Sequence, residues 1–190
     1  GAGSFGSTSR NCSSAGFART TNLGSPGTTA YFRKSFSLSP AQLAGAKNLR
    51  LSIMREDAAI VYVNGNYIAL PEQNMTYNAG TPPVYGDLAT ANVTSSLTDP
   101  PGYCDFQWVE IPTSVLNTGS NTIAVEVHRA SGGSDMTFAA ELFLEWDSAT
   151  YGYATSAQVK NRGYRSQTSG TPSTTYYLGG VLIADVMDMI

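Results

Sequence analysis

The chain has 190 residues, a net charge of −3 and an isoelectric point near 5.0, which allows one well-buried core, leaves too little for two full-sized domains and argues against a nucleic-acid-binding surface. Only 13% of residues are charged, about half the usual share, while aromatics reach 11% and Gly, Ser and Thr abound, a mixture suited to an all-β protein with many turns. No apolar run is long enough to span a bilayer and no signal peptide opens the chain, so it reads as soluble, its first residue Gly implying a lost initiator Met, a removed leader or an excised fragment.

Residues 1–29 show no period and read as an extended arm with room for one edge strand. In AYFRKSFSL, Phe32, Phe36 and Leu38 share one side that only Lys34 interrupts, which predicts a strand. SPAQLAGA follows as a short helical turn, capped by Ser39 with Pro40 at its first position. NLRLSIMRED alternates, with Leu49, Leu51 and Ile53 facing one way and Arg50, Ser52 and Met54 the other, as in a half-buried strand. AAIVYV, residues 58–63, runs into Asn64-Gly65, a strong hairpin signal, and NYIALP begins the returning strand.

Breakers crowd residues 71–105, among them Pro71, Pro82, Pro83, Pro100 and Pro101, so a long irregular excursion is expected, of the kind that carries binding on a rigid scaffold. FQWVEIP predicts a strand, SVLNTGSN a turn and TIAVEVHR a strand with Val125 and Val127 opposite Ala124, Glu126 and His128. MTFAAELFLEW is the longest alternating segment, with Met136, Phe138, Ala140, Leu142, Leu144 and Trp146 on one face and Glu141 and Glu145 on the other. Short strands at this spacing, without a long amphipathic helix, indicate an antiparallel β-sandwich over residues 30–147, with arms at 1–29 and 148–190. The second arm carries the cluster Lys160, Arg162 and Arg165, which suits a solvated segment, and ends in the apolar stretch TYYLGGVLIADVMDMI. That stretch either completes its own sandwich or docks on a neighbour, with Tyr176, Tyr177, Leu178, Val181, Leu182 and Ile183 as an assembly strand.

The succession TAYFRKSFSL, LRLSIMREDAAIVYVNGNYI and WVEIPTSVLNTGSNTIAVEVHRASGGSDMTFAAEL resembles the galactose-binding-like jelly-roll modules appended to secreted bacterial enzymes and surface proteins, over about residues 30–145. The aromatic-rich opening strands usual in that family are missing, and the tail after Trp146 has no counterpart. The resemblance implies a jelly roll that binds sugars by its loops or a concave face, often with a structural calcium ion.

For sugar binding the chemistry asks for a flat aromatic beside amides or carboxylates, and the excursion supplies Tyr77, Tyr85 and Tyr103 with Gln73, Asn78, Asp87, Asp99 and Asp105. The same tyrosines could instead pack the loop onto the sheet. Asp57, Glu56 and Asp135 stand at strand-to-loop junctions, where Asp57 and Asp135 could hold calcium or simply bond nearby turns. His128 is the single histidine; there is no GxSxG, HExxH or P-loop, so Glu110, Glu126 and Glu141 are the remaining candidates for carboxylate catalysis. Acids facing solvent from a sheet are ordinary, His128 beside Glu126 reads as a hydrogen-bonded imidazole, and Trp108 and Trp146 read as core. Cys12 and Cys104 could form a disulfide closing about 90 residues and worth ~4 kcal/mol, remain thiols or bridge subunits. Sequons stand at Asn11, Asn74 and Asn92.

These residues together point to a non-enzymatic β-sandwich outside the cytoplasm, extracellular, on a cell surface or on a virion. Its task would be glycan binding and adhesion, or self-assembly as a filament, appendage or virion subunit, with no nucleic-acid partner and no membrane span.

Overall fold

A computed structural model describes residues 4–6, 19–23, 27–93, 107–133, 135–146, 180–184 and 188–189, with 4–6, 19–22, 145–146, 180–184 and 188–189 given by their backbone. The strands in chain order are β1 (Ser4–Gly6), β2 (Arg19–Asn22), β3 (Thr29–Leu38), β4 (Ala46–Glu56), β5 (Ala58–Val63), β6 (Asn66–Ile68), β7 (Gln107–Ile111), β8 (Gly119–His128), β9 (Thr137–Trp146), β10 (Gly180–Ala184) and β11 (Asp188–Met189). Helix α1 (Pro40–Gly45) links β3 to β4, and a 3-10 turn at Thr113–Val115 precedes β8. The first arm thus holds two short strands where one was expected.

Two sheets form an all-β sandwich. The first runs β2-β1-β9-β4-β7, with β10 also on β9, and the second runs β11-β3-β8-β5-β6. Neighbours are antiparallel except the parallel β1–β2 pair. One edge of β9 pairs with β4 along its length, while β1 lies opposite Thr137 and Phe138 and β10 opposite Leu142 to Glu145. Strand β11 pairs with Phe32 and Arg33 on the outer edge of β3.

Alternation explains the core. Ala30, Phe32, Phe36 and Leu38 of β3, Ala59, Val61 and Val63 of β5, and Ile123, Val125 and Val127 of β8 point inward from the second sheet. They meet Leu49, Leu51 and Ile53 of β4, Val109 and Ile111 of β7, and Phe138, Ala140, Leu142 and Leu144 of β9. Phe32 and Phe138 stack across the two layers with centroids 4.3 Å apart.

Local chemistry sets the turns. Ser39 and Gln42 form a reciprocal capping box on α1, with Gln42 N–H donating to Ser39 Oγ at 3.2 Å and Ser39 N–H to Gln42 Oε1 at 2.8 Å. Asn64 (φ 50°) and Gly65 (φ 79°) both take the left-handed conformation that a two-residue hairpin of matching twist requires. The Asn64 side chain also ties this hairpin to the start of β8. Its Nδ2 donates to Val115 O and Asn121 Oδ1, each at 2.8 Å, and its Oδ1 accepts from Thr122 N at 2.9 Å. Residues 55–68 are therefore the end of one strand, a hairpin and an anchor for the turn before β8.

The outer face of the first sheet departs from the expected half-buried pattern. Ser52 and Met54 of β4 are fully buried and Glu141 of β9 nearly so, although all three point away from the core. Trp108 corrects the reading of it as core: it pairs with Ser52 and lies half-buried on this outer face, 5.5 Å from Phe143 by ring centroid. A period of two assigns a face but not what lies over it, which is why an inward reading suited Trp108 equally well.

Candidate binding face on the second sheet

The outer face of the second sheet is built in rows fixed by strand register. Tyr31, Glu126 and Ile60 form one row, Arg33, Ala124 and Tyr62 the next, and Thr29, His128 and Ala58 the row on the other side. Because β8 lies between β3 and β5, residues remote in the chain, Tyr31 from β3 and Ile60 and Tyr62 from β5, converge around Glu126. Ala124, the smallest side chain of its row, stands between Arg33 and Tyr62.

Glu126 is the polar centre. Its carboxylate accepts from the Tyr62 hydroxyl, and its Oε2 lies 3.3 Å from His128 Nε2, with 16% of the side chain exposed. Burial, then the Glu126 charge and the hydrogen bond to it, pushes the Tyr62 phenol far above its ordinary range. Tyr31 is raised as well, by burial first and then by Glu126, Tyr85 and Asp87. Both phenols stay protonated at neutral pH; Tyr62 commits its single O–H to Glu126 and keeps oxygen lone pairs as acceptors, while Tyr31 stands beside the same carboxylate.

Residues 71–93 lie over one part of this face and contain no strand beyond the isolated bridge of Ala89 to Ala130. Tyr77 stacks on Tyr67 with centroids 3.7 Å apart and rings 8° from parallel, and meets Tyr62 edge-on at 6.1 Å. One face of Tyr77 is thus occupied, and this ring packs the loop onto the sheet. The Tyr67 hydroxyl donates to Gln73 Oε1, and Gln73 Nε2 donates to Met75 O at 2.6 Å. Asn78 bonds within its own turn, its Oδ1 accepting from Gly80 N at 2.9 Å.

Tyr85 differs from Tyr77. It is 65% exposed, between Val84 at 61% and Leu88 at 44%, which together make an apolar crest on the loop. Its hydroxyl rests over Gly27, where a Cβ would come within 2.5 Å of it. The Asp87 carboxylate braces the crest from below by accepting from Val84 N at 2.8 Å.

Asp57 is placed differently from a metal ligand open to a cation. It is 3% exposed, and its Oδ1 and Oδ2 accept from Val93 N and Ala130 N, each at 2.7 Å. Its own backbone N–H donates to His128 O at 3.1 Å, and its carbonyl accepts from Asn74 Nδ2 at 3.2 Å. The residue ties β5, the excursion and the end of β8 into one junction. Arg55 beside it is also buried; burial lowers its pKa from the ordinary value while Glu72 and Asp57 oppose the shift, and its Nη2 donates to Glu72 O. Asp135 is buried. Among the described residues no three His, Cys, Asp or Glu side chains are grouped to hold a metal ion.

The three carboxylates considered for catalysis do not share a site. Glu126 is on the outer face of the second sheet, whereas Glu110 and Glu141 belong to the first. Glu110 is exposed and pairs with Arg50 at 2.8 Å, an ion pair of the kind that adds little. Glu141 is buried, not solvent-facing as the alternation suggested.

Tyr103, Asp105, Asp99, Cys12, Cys104, Tyr176, Tyr177, Leu178 and the sequon at Asn11 lie outside the described residues. Val181, Leu182 and Ile183 are in β10, where Val181 pairs with Leu144 and Leu182 with Phe143 of the same chain. The Asn74 amide is committed inside the loop, donating to Ala91 O at 2.5 Å and accepting from Thr90 Oγ1 at 2.9 Å, while Asn92 is exposed. Sequence reasoning missed Tyr31 and Tyr62 as site residues and treated Glu126 only as an acid. The available signal was their outward parity on adjacent strands, which needs the strand order to become informative.

Among the described residues no helix is long and apolar enough to cross a membrane. No protein family matches the chain, and no curated protein does. Three solved structures similar to it are α-L-rhamnosidases. The one from Dictyoglumus thermophilum is 17% identical over 64% of this chain and 11% of its own, with a TM-score of 0.40. That from Streptomyces avermitilis, complexed with L-rhamnose, is 20% identical over 65% and 9%, with a TM-score of 0.41. That from Aspergillus terreus is 14% identical over 77% and 15%, with a TM-score of 0.43. The chain spans at most 15% of the length of each.

Proposed function

We propose that the chain is a non-catalytic glycan-binding module of the galactose-binding-like jelly-roll type, acting outside the cytoplasm on a cell or particle surface. The observation that carries this reading is the pairing of an exposed aromatic crest at Tyr85 with the Glu126 carboxylate and the hydroxyls of Tyr31, in its own row, and Tyr62, in the next. A pyranose presents an apolar face to an aromatic ring and hydroxyls to polar groups, so an exposed ring beside fixed donors and acceptors suits it.

Retention on a panel of insoluble polysaccharides tests the reading. Tyr85→Ala is expected to lower affinity at least about tenfold, the equivalent of ~1.4 kcal/mol, without changing the melting temperature, because the ring is exposed. Retention unchanged in the variant, or absent across the panel for the parent chain, overturns it.

A second reading, an assembly subunit of a filament, appendage or virion, draws support from the strands that the terminal arms add to both sheets. The two readings are compatible, since a subunit can expose a glycan-binding face. The assembly reading predicts ordered oligomers of the full chain by light scattering and negative-stain imaging, and a folded monomer for a version ending at Asp147. A monomeric full chain removes it.

A further inference from the structure

His128 is fully buried, and both of its ring nitrogens face acceptors. Nδ1 is 2.9 Å from Asp87 O and 3.1 Å from Thr29 Oγ1, and Nε2 is 3.3 Å from Glu126 Oε2. A carbonyl oxygen can only accept, and an ionised carboxylate can only accept. A neutral imidazole carries one N–H and serves one of them. The imidazolium carries two and serves both.

The Asp87 carbonyl belongs to the Val84–Leu88 crest, so the ring bridges the sheet and the loop that holds Tyr85. Thr29 completes the bridge, because its Oγ1 also accepts from Gly86 N at 3.3 Å. We infer that protonated His128 latches this crest onto the second sheet and that loss of the proton releases it. The two neutral tautomers are unequal. Charge favours keeping the proton on Nε2 against Glu126, and the Thr29 hydroxyl can then donate to bare Nδ1, but the Asp87 carbonyl is left facing a lone pair. The latch is therefore present at low pH and lost as pH rises through the imidazole transition.

Several other ionisable groups surround the ring. From β8 the facing group is Glu126, and from β5 Tyr62 bonds to that carboxylate. From β3, Tyr31 stands one row away and, like Tyr62, holds its proton well above neutral pH. The Asp57 carboxylate is turned to Val93 N and Ala130 N, and the Asp87 carboxylate to Val84 N. Arg129, next along the chain, bonds through its backbone to Thr28 O and Ala89 N.

That the latch controls ligand binding rests on the glycan reading; the latch itself does not. Because the chain has one histidine, selective 15N labelling of its imidazole gives a single pair of ring signals. These, and the backbone amides of Gly86 and Leu88, are to be followed from about pH 5 to about pH 9. The expected result is an imidazolium with two protected N–H protons at the acid end, an Nε2–H tautomer at the other, and loop amides that shift with the same midpoint. His128→Gln should abolish the loop transition. If that variant does not fold, Glu126→Gln, which keeps the histidine and removes the carboxylate facing Nε2, should change the loop transition and the ring signals together. An imidazole that stays neutral throughout, or titrates while Gly86 and Leu88 do not respond, overturns the latch. Polysaccharide retention on either side of the midpoint separates the two claims. A moving loop with no retention at any pH sinks the glycan reading alone, and retention that ignores the loop transition breaks the link between them.

Discussion

Replacing Asp57 by alanine will destabilise the chain by about 2–4 kcal/mol, because it leaves the buried N–H of Ala130 and the part-buried N–H of Val93 without their acceptor. Each orphaned donor costs about 1–3 kcal/mol, and hydrogen bonds to a charged group stand at the upper end of the range. Asp57→Asn retains one carbonyl oxygen of the same shape and should lose roughly half as much. Urea denaturation reads both: the midpoint falls in the order Asp, Asn, Ala while the slope stays constant. Hydrogen exchange adds a local signature, since the amides of Val93 and Ala130 should lose protection before the core does. An alanine variant within about 1 kcal/mol of the parent would mean that these donors find other partners.

Phe138→Ala will cost ~3–5 kcal/mol, by a different mechanism. The ring is fully buried in β9 and stacks on Phe32 of β3, so it spans the interface between the sheets. Truncation removes the transfer free energy of the side chain and leaves a cavity that a sandwich fixed by ladders on both sides closes poorly. Phe138→Leu fills most of that space and should cost under about 2 kcal/mol. The pair of midpoints, with unchanged slope, distinguishes a core position from one that relaxes. Equal losses in the two variants would contradict the stacked, space-filling role.

The elements that the chain encodes locally were legible. Strands with a clean period of two, the Ser39 cap and the Asn64-Gly65 turn depend on neighbours within a few residues, and each appears where the pattern placed it. The site was legible in part. Tyr85 and Asp87 stood out because exposed chemistry in a breaker-rich loop is a local property. Tyr31, Tyr62 and Glu126 did not, because only the order β3-β8-β5 brings them together. Asp57 illustrates the same limit, its partners Val93 and Ala130 being remote in the chain and offering only backbone donors, which no residue type announces. Burial of Ser52, Met54 and Glu141 on an outer face was likewise hidden, since periodicity reports parity and not cover.

The placement of β1, β10 and β11 has a topological consequence. Exposed strand borders are templates for uncontrolled pairing between molecules, and here parts of two long borders, Thr137, Phe138 and Leu142–Glu145 of β9 and Phe32 and Arg33 of β3, are taken by β1, β10 and β11 of the same polypeptide. A strand entering from another copy at those positions would have to evict one of these segments, and the evicted segment would then be available to do the same to the next copy. Any exchange along these borders would preserve every ladder pairing and change only which chain owns the strand. Its equilibrium would accordingly be set by protein concentration, with the sandwich itself nearly indifferent to the outcome.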